Sequence, residues 1–528
     1  MALAALATLA ATASTALAAG LANAPSAPAV ALPGDAGAAA VTADSSTWIV
    51  GVRAGGGALA QAHGARRIAG RAWLAPRGRA RALAAALATR GLLDYAEPNR
   101  LGRRTQAPLP DPLSGQARWR DFVVGGQVPP PVGPDSPLLG VVDTMIDVTH
   151  PEIAGSNITT TGGTGLRDFH GTATSTVAAA PANGVGMLGI WPGARALNVP
   201  LPNGQRITCA DSARAIARAI KAGSSVINMS YGSPSKCVAE EQQIQRGIKL
   251  GAVPVAASGN EFENGNPLEF PASLAHVITV GAIGPDDKPT GFSNESGAVD
   301  LSAPGIGILT AVPSAFDPDG TIDGFAAVAG TSFASPMVAA AVAWVRAARP
   351  ELTPFQAGQV VRLGARDVGA PGYENATGFG VLNLAGALSL QPPADDPLEP
   401  NDDIRYVNGR AFRDASPPLF TGRAASIAAT ADFAEDPVDV YRVKIPARKR
   451  VRLSLVPVVG DPDLFVFGSA TRSVRKSRSL RNSSKRAGTE RISVRNKGRG
   501  TRTIYVAVGF NADKDVELFN ASYRLRAR

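Results

Sequence analysis

The chain has 528 residues, of which 45% are hydrophobic and 18% charged, and its formal net charge is +10. A chain of this length holds more than one domain and can bury a large core. Four histidines and two cysteines without the spacing of zinc ligands argue against a zinc enzyme, so we expect no metal in the active site.

Residues 1–24 predict a signal peptide, because they are alanine-rich, uncharged and offer small residues for cleavage. The segment lacks a basic first region, for which a misplaced start is one explanation. A membrane anchor is the weaker alternative, since alanine is only weakly apolar and no further spanning stretch follows. Residues 25–44 form a spacer rich in Ala, Pro and Gly. We therefore expect a secreted protein without a transmembrane anchor.

The next two regions predict an α/β fold. Residues 45–104 predict a small α+β domain, with a strand over residues 46–52 and a helix over residues 79–90. Residues 105–390 alternate short apolar strands with helical patterns, which predicts a mostly parallel sheet with helices on both faces. Helices are expected over residues 211–222 and 238–250, and strands over residues 226–229 and 253–257.

Three residues of this region form a candidate catalytic set. Asp143 ends a short apolar strand, at the carboxyl edge of the expected sheet, and His170 opens a helix of small residues. Ser332 lies at the start of an apolar helix that runs to about residue 349, where free N–H groups favour an anion. A serine nucleophile needs a base, and the base needs a carboxylate. Alone, the Gly-Thr-Ser segment would be an ordinary helix cap.

The order Asp143, His170, Ser332 resembles that of the subtilisin-like serine proteases. Short motifs in family order extend the resemblance over roughly residues 111–390, at residues 183–194, 226–232, 253–260, 270–272, 279–282 and 302–305. The resemblance implies that Ser332 attacks the peptide carbonyl, His170 shuttles the proton and Asp143 orients His170. It also implies that the side chain of Asn260 and the backbone N–H of Ser332 hold the oxyanion. The alternative for Asn260 is an ordinary turn residue.

Two positions depart from the family pattern. Met145 stands where the family usually has glycine two residues after the aspartate, and Phe169 stands where it has glycine before the histidine. Both line the expected active-site edge, so they bear on the level of activity. The other histidines have structural interpretations: His150 in a His-Pro turn, His276 packing at the start of a strand, and His63 outside the catalytic region.

The resemblance also implies the residues that bind substrate. Ser230, Tyr231 and Gly232 form one backbone edge that holds the substrate as an added strand, and Ser258 and Gly259 form the other. Glu269 falls where the family places the floor of the pocket for the P1 side chain, and an acid there would favour Arg or Lys. The alternative is an exposed loop glutamate.

Cys209 and Cys237 are the two cysteines of the chain. A secreted chain with two cysteines usually pairs them, so we expect a disulfide. The alternative is two buried free thiols.

Residues 48–52 and 95–99 resemble parts of an inhibitory pro-domain of this family, so the region at residues 45–104 is expected to be one. The resemblance implies a zymogen whose pro-domain assists folding and then blocks the cleft as an intramolecular inhibitor. Arg103 and Arg104 lie at the expected boundary, where self-cleavage by an enzyme that prefers basic residues would occur. The resemblance implies no cofactor for catalysis and is compatible with structural calcium, at a site that the sequence does not identify.

The last part of the chain is expected to be separate. Residues 391–398 form a linker, and residues 399–528 show strand-like alternation without a helical period, which predicts an all-β sandwich. Short motifs at residues 399–402, 461–464 and 521–525 resemble the pre-peptidase C-terminal domain of secreted proteases. The basic run Arg472–Arg486 has no interleaved aromatics, so we expect no nucleic-acid binding. It is either a solvated loop or a patch for an anionic surface or polymer.

These patterns together predict a secreted, monomeric serine endopeptidase that acts on proteins or peptides and is made as a self-processing zymogen. The alternative from another class is a secreted binding or adhesion protein in which the protease fold is an inactive scaffold. A third interpretation keeps the enzyme but restricts it to the maturation of one dedicated partner.

Overall fold

The computed structural model describes residues 43–104, 118–163, 165–202, 206–319, 323–432, 434–484, 488–510 and 521–528. The predicted signal peptide and almost all of the predicted spacer lie outside these residues. The chain divides into two compact units after Pro392, one comprising Ala38–Pro392 and the other containing Pro393–Arg528. No helix in the described ranges combines the length and apolarity needed to cross a membrane.

The first unit begins with a small antiparallel sheet. Its elements are β1 (Ala43–Val52), α1 (Gly57–Ala62), β2 (Arg66–Ala69), β3 (Ala72–Pro76), α2 (Arg77–Thr89) and β4 (Leu93–Arg104). The central strand β1 pairs antiparallel with β3 on one side and β4 on the other. Leu83 and Leu87 recur at helical spacing on α2 and are buried with Val50 and Trp73 from the strands. The helix begins two residues before the predicted start.

A seven-stranded parallel sheet forms the centre of this unit. The elements are α3 (Arg118–Val124), β5 (Leu139–Asp143), β6 (Ile158–Thr160), α4 (His170–Ala179), β7 (Ala196–Pro200), β8 (Ile207–Thr208), α5 (Cys209–Lys221), β9 (Val226–Met229), β10 (Tyr231–Gly232), α6 (Val238–Lys249), β11 (Val253–Ala257), β12 (Ile278–Ile283), β13 (Leu301–Pro304), β14 (Ile308–Ala311), β15 (Phe325–Val328), α7 (Thr331–Ala348), α8 (Pro354–Leu363) and α9 (Leu384–Ser389). Short 3-10 helices occupy Phe262–Asn264 and Ser314–Phe316. The strand order is β13-β12-β11-β9-β5-β7-β6, and all neighbours run parallel.

Helices cover both faces of this sheet, as predicted. Leu139 and Val141 of β5 point into one core together with residues of α4 and α7. Val142, the next residue along β5, points into the opposite core with residues of α5 and α6. The alternation follows from the two-residue period of a strand, and burial on both faces explains why the central strands are mostly apolar. The predicted mostly parallel α/β fold is confirmed.

The second unit is built from two antiparallel four-stranded sheets. Its elements are α10 (Ile404–Val407), β16 (Ala425–Ala431), β17 (Val438–Ile445), β18 (Arg450–Val459), β19 (Asp463–Gly468), β20 (Arg481–Ser483), β21 (Glu490–Arg495), β22 (Arg502–Gly509) and β23 (Ala521–Ala527). The sheet orders are β16-β23-β18-β21 and β17-β22-β19-β20. Leu453 and Leu525 from the first sheet share one buried core with Val443 and Val506 from the second. The predicted sandwich is present, with one short helix, α10, that the pattern did not predict.

Candidate active site

Asp143 and His170 form a buried pair at the carboxyl end of the parallel sheet. Asp143 is the last residue of β5, and His170 is the first residue of α4. The His170 Nδ1 atom lies 2.8 Å from Asp143 Oδ1 and 3.0 Å from Oδ2. Thr174, one turn along α4, donates to Asp143 Oδ2 at 3.0 Å, and the backbone N–H of Thr144 donates to Oδ1 at 2.7 Å. The carboxylate is therefore held against one ring nitrogen of the histidine, which fixes the imidazole orientation.

A second polar contact ties the start of α4 to the end of β5. The Thr144 hydroxyl donates to Asp168 Oδ1 at 2.7 Å and accepts from the backbone N–H of Gly171 at 2.8 Å. The backbone N–H of His170 donates to the same Asp168 oxygen at 3.0 Å. A side chain at Gly171 would meet the Thr144 carbonyl oxygen at 2.0 Å, so only glycine allows this close approach. Sequence reasoning missed Thr144, Asp168 and Thr174, because single polar residues beside a motif carry no signal of their own.

Ser332 lies beside this pair in the first turn of α7. The ring of His170 packs against Phe333, the next residue, with ring centroids 5.4 Å apart. The Ser332 hydroxyl faces the carbonyl oxygen of Ser230 at 3.4 Å, and the Ser332 carbonyl accepts from the Ser230 hydroxyl at 2.8 Å. In the described part of the chain, His170 Nε2 is buried without a hydrogen-bond partner. The structure thus places Phe333, the residue after Ser332, against the ring of His170, and Nε2 is the ring nitrogen that does not contact Asp143.

Asn260 is oriented by the residue that precedes Ser332. Its Oδ1 accepts from the backbone N–H of Thr331 at 3.0 Å and from the Thr331 hydroxyl at 2.9 Å. Because a backbone N–H can only donate, these contacts identify Oδ1 and turn the amide N–H₂ group the other way. Asn260 Nδ2 is buried and has no partner in the described ranges. Gly330, with φ at 144°, gives the chain the sharp entry into α7 that aligns Thr331 with Asn260.

The two expected substrate edges lie on either side of a buried glutamate. A side chain at Gly232 would meet Glu269 Oε2 at 2.7 Å, and one at Gly259 would meet Glu269 Cγ at 2.8 Å. Ser233 and Phe270 exchange two backbone hydrogen bonds of 2.9 and 2.8 Å, which hold Glu269 beside this edge. Glu269 is only 1% exposed. The alternative of an exposed loop glutamate is therefore wrong. Ser258, like Ser230, Tyr231 and Gly232, is buried.

The strand β4 of the N-terminal sheet pairs with one of these edges. It runs antiparallel to β10, with Arg104 opposite Tyr231 and Arg103 opposite Gly232. It also pairs with β8. The edge that the sequence assigned to substrate thus bears an added strand of this same chain, in the backbone geometry of β-augmentation.

Two acceptors on β4 cap two helices of the larger domain. Glu97 accepts from the backbone N–H groups of Val238 and Ala239 at 3.0 and 3.1 Å, at the start of α6. Asn99 Oδ1 accepts from the N–H of Ala210 at 3.1 Å, at the start of α5. A carboxylate at a helix N-terminus is favoured by the helix dipole. Sequence reasoning missed both caps, because a cap supplied by a distant strand leaves no local pattern.

Cys209 and Cys237 form a disulfide, with Cα atoms 5.9 Å apart. Cys209 is the first residue of α5, and Cys237 is the N-cap of α6. The bridge therefore ties together the two helix starts that β4 caps. The predicted disulfide is confirmed, and the alternative of two free thiols is wrong.

A buried polar chain lies behind Tyr231. The hydroxyl of Ser212 lies 3.0 Å from the Tyr231 hydroxyl and also donates to Glu240. Burial raises the pKa of Glu240 to about 7, and the nearby charge of Glu97 adds to the rise. The pKa of Tyr231 is raised well above its ordinary value by burial and by Glu240. Glu240 therefore titrates near neutral pH, and it contacts Ser212, which in turn contacts Tyr231 of the edge that β4 occupies.

The departures from the family pattern are accommodated without strain. Phe169 has a φ of −92°, which any residue adopts, and packs at the rim of the main core. Met145 is half-buried and lines a cavity of about 600 Å³ beside Thr144. The backbone conformation at position 169 thus does not require glycine.

The remaining histidines take structural positions. His150 is buried, lies 2.9 Å from the carbonyl oxygen of Gly324 through Nε2, and has its pKa lowered by burial. His63 lies 2.9 Å from the carbonyl oxygen of Leu59 through Nδ1. His276 has a φ of 61° and is separated from β12 by Val277, so it does not open that strand as predicted. A left-handed residue ends strand pairing, which explains the shift.

Comparisons with known proteins agree with this geometry. The model of the subtilase family matches residues 135–380. Subtilisin DY of Bacillus licheniformis is 30% identical over 261 residues, which cover 47% of this chain and 89% of that protein. The chain belongs to the subtilase family.

Another subtilase relative is the thermophilic serine proteinase of Bacillus sp. (strain AK1), 33% identical over 279 residues that cover 50% of this chain and 65% of that protein. The chain therefore spans just under two thirds of that relative's length. Fervidolysin from Fervidobacterium pennivorans, described as a keratinolytic enzyme related to subtilisin, has a similar structure. Its TM-score is 0.56 at 16% identity, covering 86% of this chain and 85% of that chain. That likeness shows the fold, and the subtilase fold is common to both.

Proposed function

We propose that this chain is a secreted serine endopeptidase that hydrolyses peptide bonds through an acyl-enzyme on Ser332. The observation that carries the proposal is the buried pair of Asp143 and His170. Nε2 has no hydrogen-bond partner among the described residues, and the imidazole packs against Phe333, next to Ser332 in the first turn of α7. Membership of a family of serine proteases adds support. Secretion is proposed on the predicted signal peptide of residues 1–24.

The proposed reaction follows from the placement of these groups. Ser332 Oγ attacks the scissile carbonyl while His170 Nε2 takes its proton, and Asp143 stabilises the imidazolium. The oxyanion accepts from Asn260 Nδ2 and from the backbone N–H of Ser332 at the start of α7. His170 then gives its proton to the leaving amine, and water hydrolyses the acyl-enzyme by the reverse sequence of proton transfers. The reaction needs no cofactor.

The chain is proposed to be made as an inhibited zymogen. Support comes from β4, which occupies the β10 edge where the substrate backbone would pair. Because β4 is also fixed by Glu97 and Asn99, the N-terminal domain binds through the helix caps as well as through the cleft. Self-processing next to Arg104 would release the edge.

A preference for Arg or Lys at P1 is proposed on the position of Glu269. Its carboxylate lies next to Gly232 and its Cγ lies next to Gly259, the glycines of the two edges that would flank the P1 side chain. A buried carboxylate at that place would pair with a cationic side chain and disfavour an acidic one.

The experiment expresses the chain from Pro25 as wild type, Ser332→Ala and Ser389→Ala, and reads the N-termini by mass spectrometry. Ser389 is an exposed serine at the end of α9 and serves as the matched control. We expect processing next to Arg104 and casein digestion in the wild type and the Ser389 variant, and neither in the Ser332 variant. Self-processing without casein digestion would restrict the enzyme to a dedicated partner. Absence of any Ser332-dependent cleavage would contradict the proposal and favour the inactive scaffold.

A binding role for the second unit is proposed in addition, towards an anionic surface or polymer. A surface cavity of about 340 Å³ lies where β20 and β21 come close, and it is lined by four basic residues, Arg481, Arg495, Lys497 and Arg502. The basic run Arg472–Arg486 is held in place by Val474, which is buried and donates its N–H to Asp403 at 2.8 Å. Residues 485 and 486 of the run lie outside the described residues. Retention of the chain on an anionic matrix should fall as salt is added, and it should fall in Arg481→Gln. Arg413→Gln, at an exposed site, is the control and should be retained like the wild type. Retention that does not depend on salt would contradict binding to an anionic surface.

A further inference from the structure

Four carboxylates converge in the interior of the second unit. Asp396 and Glu399 precede α10, Asp436 precedes β17, and Asp439 lies within β17. Each offers one oxygen, and these oxygens all lie within 4.8 Å of one another. Three of the four side chains are buried, and Glu399 is half-buried. Like charges this close and this dry repel strongly unless a proton or a cation neutralises them.

Asp439 is the most deeply buried member of the cluster. The side chain is 0% exposed, and its Oδ2 accepts a hydrogen bond from the Tyr523 hydroxyl. Its Oδ1 is buried and has no hydrogen-bond partner among the residues that the structure describes. A buried carboxylate oxygen without a donor lowers the stability of the fold, so a bound ion is one explanation for such an atom.

The electrostatics of Asp439 agree with this geometry. Burial and the charges of Asp396 and Glu399 raise its pKa well above the ordinary value, against the smaller opposing effect of Tyr523 and Asn401. Burial, followed by the charges of Asp439, Asp396 and Glu399, raises the pKa of Tyr441, whose hydroxyl lies 2.6 Å from that of Tyr523. The site therefore holds excess negative potential around one set of oxygens.

We propose that Asp396, Glu399, Asp436 and Asp439 bind a divalent cation, and that this cation is calcium. The donors of the cluster are carboxylate oxygens, which select hard cations over zinc or copper. Calcium accepts 6–8 oxygen ligands at about 2.3–2.6 Å, so two ligands on opposite sides of the ion lie about 4.6–5.2 Å apart. Oxygens that all lie within 4.8 Å of one another fit around such an ion.

The ion would join two segments that are far apart in sequence. Asp396 and Glu399 belong to the segment that leads into the sandwich, and Asp436 and Asp439 belong to its β17 region. Asn401 already fixes this segment to β17, because its Oδ1 accepts from the N–H of Val440 at 3.0 Å. Calcium would complete the attachment and would protect the leading segment from proteolysis.

The test measures calcium bound per chain by equilibrium dialysis on the full chain, in the Ser332→Ala background to prevent self-digestion. Asp439→Asn keeps the size of the side chain, and Asp414→Asn at an exposed site of the same unit is the matched control. We expect Asp439→Asn to bind about one calcium ion fewer than the control. Terbium emission sensitised by tyrosine should fall in parallel, because Tyr523 contacts Asp439 directly.

Equal calcium stoichiometry in the two variants would overturn the proposal and assign the neutralisation to protons. If Asp439→Asn does not fold, Glu399→Gln replaces it, because Glu399 is half-buried and tolerates substitution better. Addition of calcium should also slow cleavage of the chain around residues 393–402 by an added protease. Cleavage that is unchanged by calcium, together with unchanged stoichiometry in Glu399→Gln, would exclude the site. Any calcium bound by the first unit is common to all variants and cancels.

Discussion

The side-chain oxygen of Asn260 accepts two hydrogen bonds from Thr331, the residue directly before Ser332. The proposed oxyanion donor and the proposed nucleophile are thus fixed to one another through a single residue. Thr331 also accepts from the N–H of Gly259 at 3.3 Å, which joins the substrate edge to the same point. The donor is therefore oriented before substrate arrives, as electrostatic stabilisation of a transition state requires.

Asn260→Ala should lower kcat by about 10²–10³ with little change in KM, the loss known for the corresponding donor of subtilisin. Thr331→Val should lower kcat by about tenfold, since it removes one hydrogen bond that orients Asn260. Thr331→Ser, which keeps the hydroxyl, should restore activity. Steady-state kinetics on one peptide substrate measure all three. A Thr331→Val enzyme with full kcat would show that Asn260 needs no orientation by the hydroxyl.

Glu269→Gln should lower kcat/KM for substrates with Arg or Lys at P1 by about 10–100-fold, because a charge-assisted hydrogen bond is worth about 1.5–3 kcal/mol. Substrates with an apolar P1 residue should be unaffected. Glu263→Gln, at an exposed position of the neighbouring 3-10 helix, is the control. An unchanged ratio of basic to apolar substrates in Glu269→Gln would remove Glu269 from the specificity pocket.

Glu97→Gln should weaken the binding of a separately added N-terminal domain to the processed enzyme by about 10–100-fold. The substitution replaces the charge that accepts from Val238 and Ala239, and hydrogen bonds to charged groups are worth about 1.5–3 kcal/mol. Asp94→Asn is the matched control, since its contact to Gln242 is longer, at 3.4 Å. Inhibition constants give the comparison. Equal constants for the two variants would show that the helix caps do not contribute to inhibition.

The titration of Glu240 should make the stability of the zymogen depend on pH. Its folded pKa of about 7 lies above the ordinary value, so the unfolded chain releases the proton first as pH rises. The free energy of unfolding should therefore fall between about pH 4.5 and 7 and level off above that range. Glu240→Gln should remove most of this fall, and Glu351→Gln at an exposed site should not. Denaturant unfolding of Ser332→Ala chains at several pH values measures the free energy of unfolding. If it depends on pH in the same way in Glu240→Gln and Glu351→Gln, Glu240 is not the group that titrates.

The sequence predicts the parts of the site that lie at the ends of regular elements. Asp143, His170 and Ser332 each stand at the end of a strand or the start of a helix of small or apolar residues, so pattern and position locate them together. Fold class follows for the same reason, because strands buried on both faces must be apolar throughout.

The residues that position the site could not be predicted in this way. Thr331, Asp168 and Glu97 act through contacts between segments that are distant in sequence, and each looks like an ordinary polar residue in its own segment. Glu269 could not be distinguished from an exposed loop residue, because its burial depends on Gly232 of β10 and on Gly259 after β11, both distant in sequence. Glu240 and Asp439 owe their shifted pKa values to burial, which single-residue patterns do not reveal.

The most direct test of the central claim is labelling of the processed enzyme with a serine-directed phosphonate, followed by peptide mapping. We expect one modified residue, Ser332, and loss of the label in His170→Ala, since the serine then lacks its base. The exposed control Ser389→Ala should label like the wild type. Labelling of another serine, or none in a folded and processed chain, would contradict the claim that Ser332 is the nucleophile.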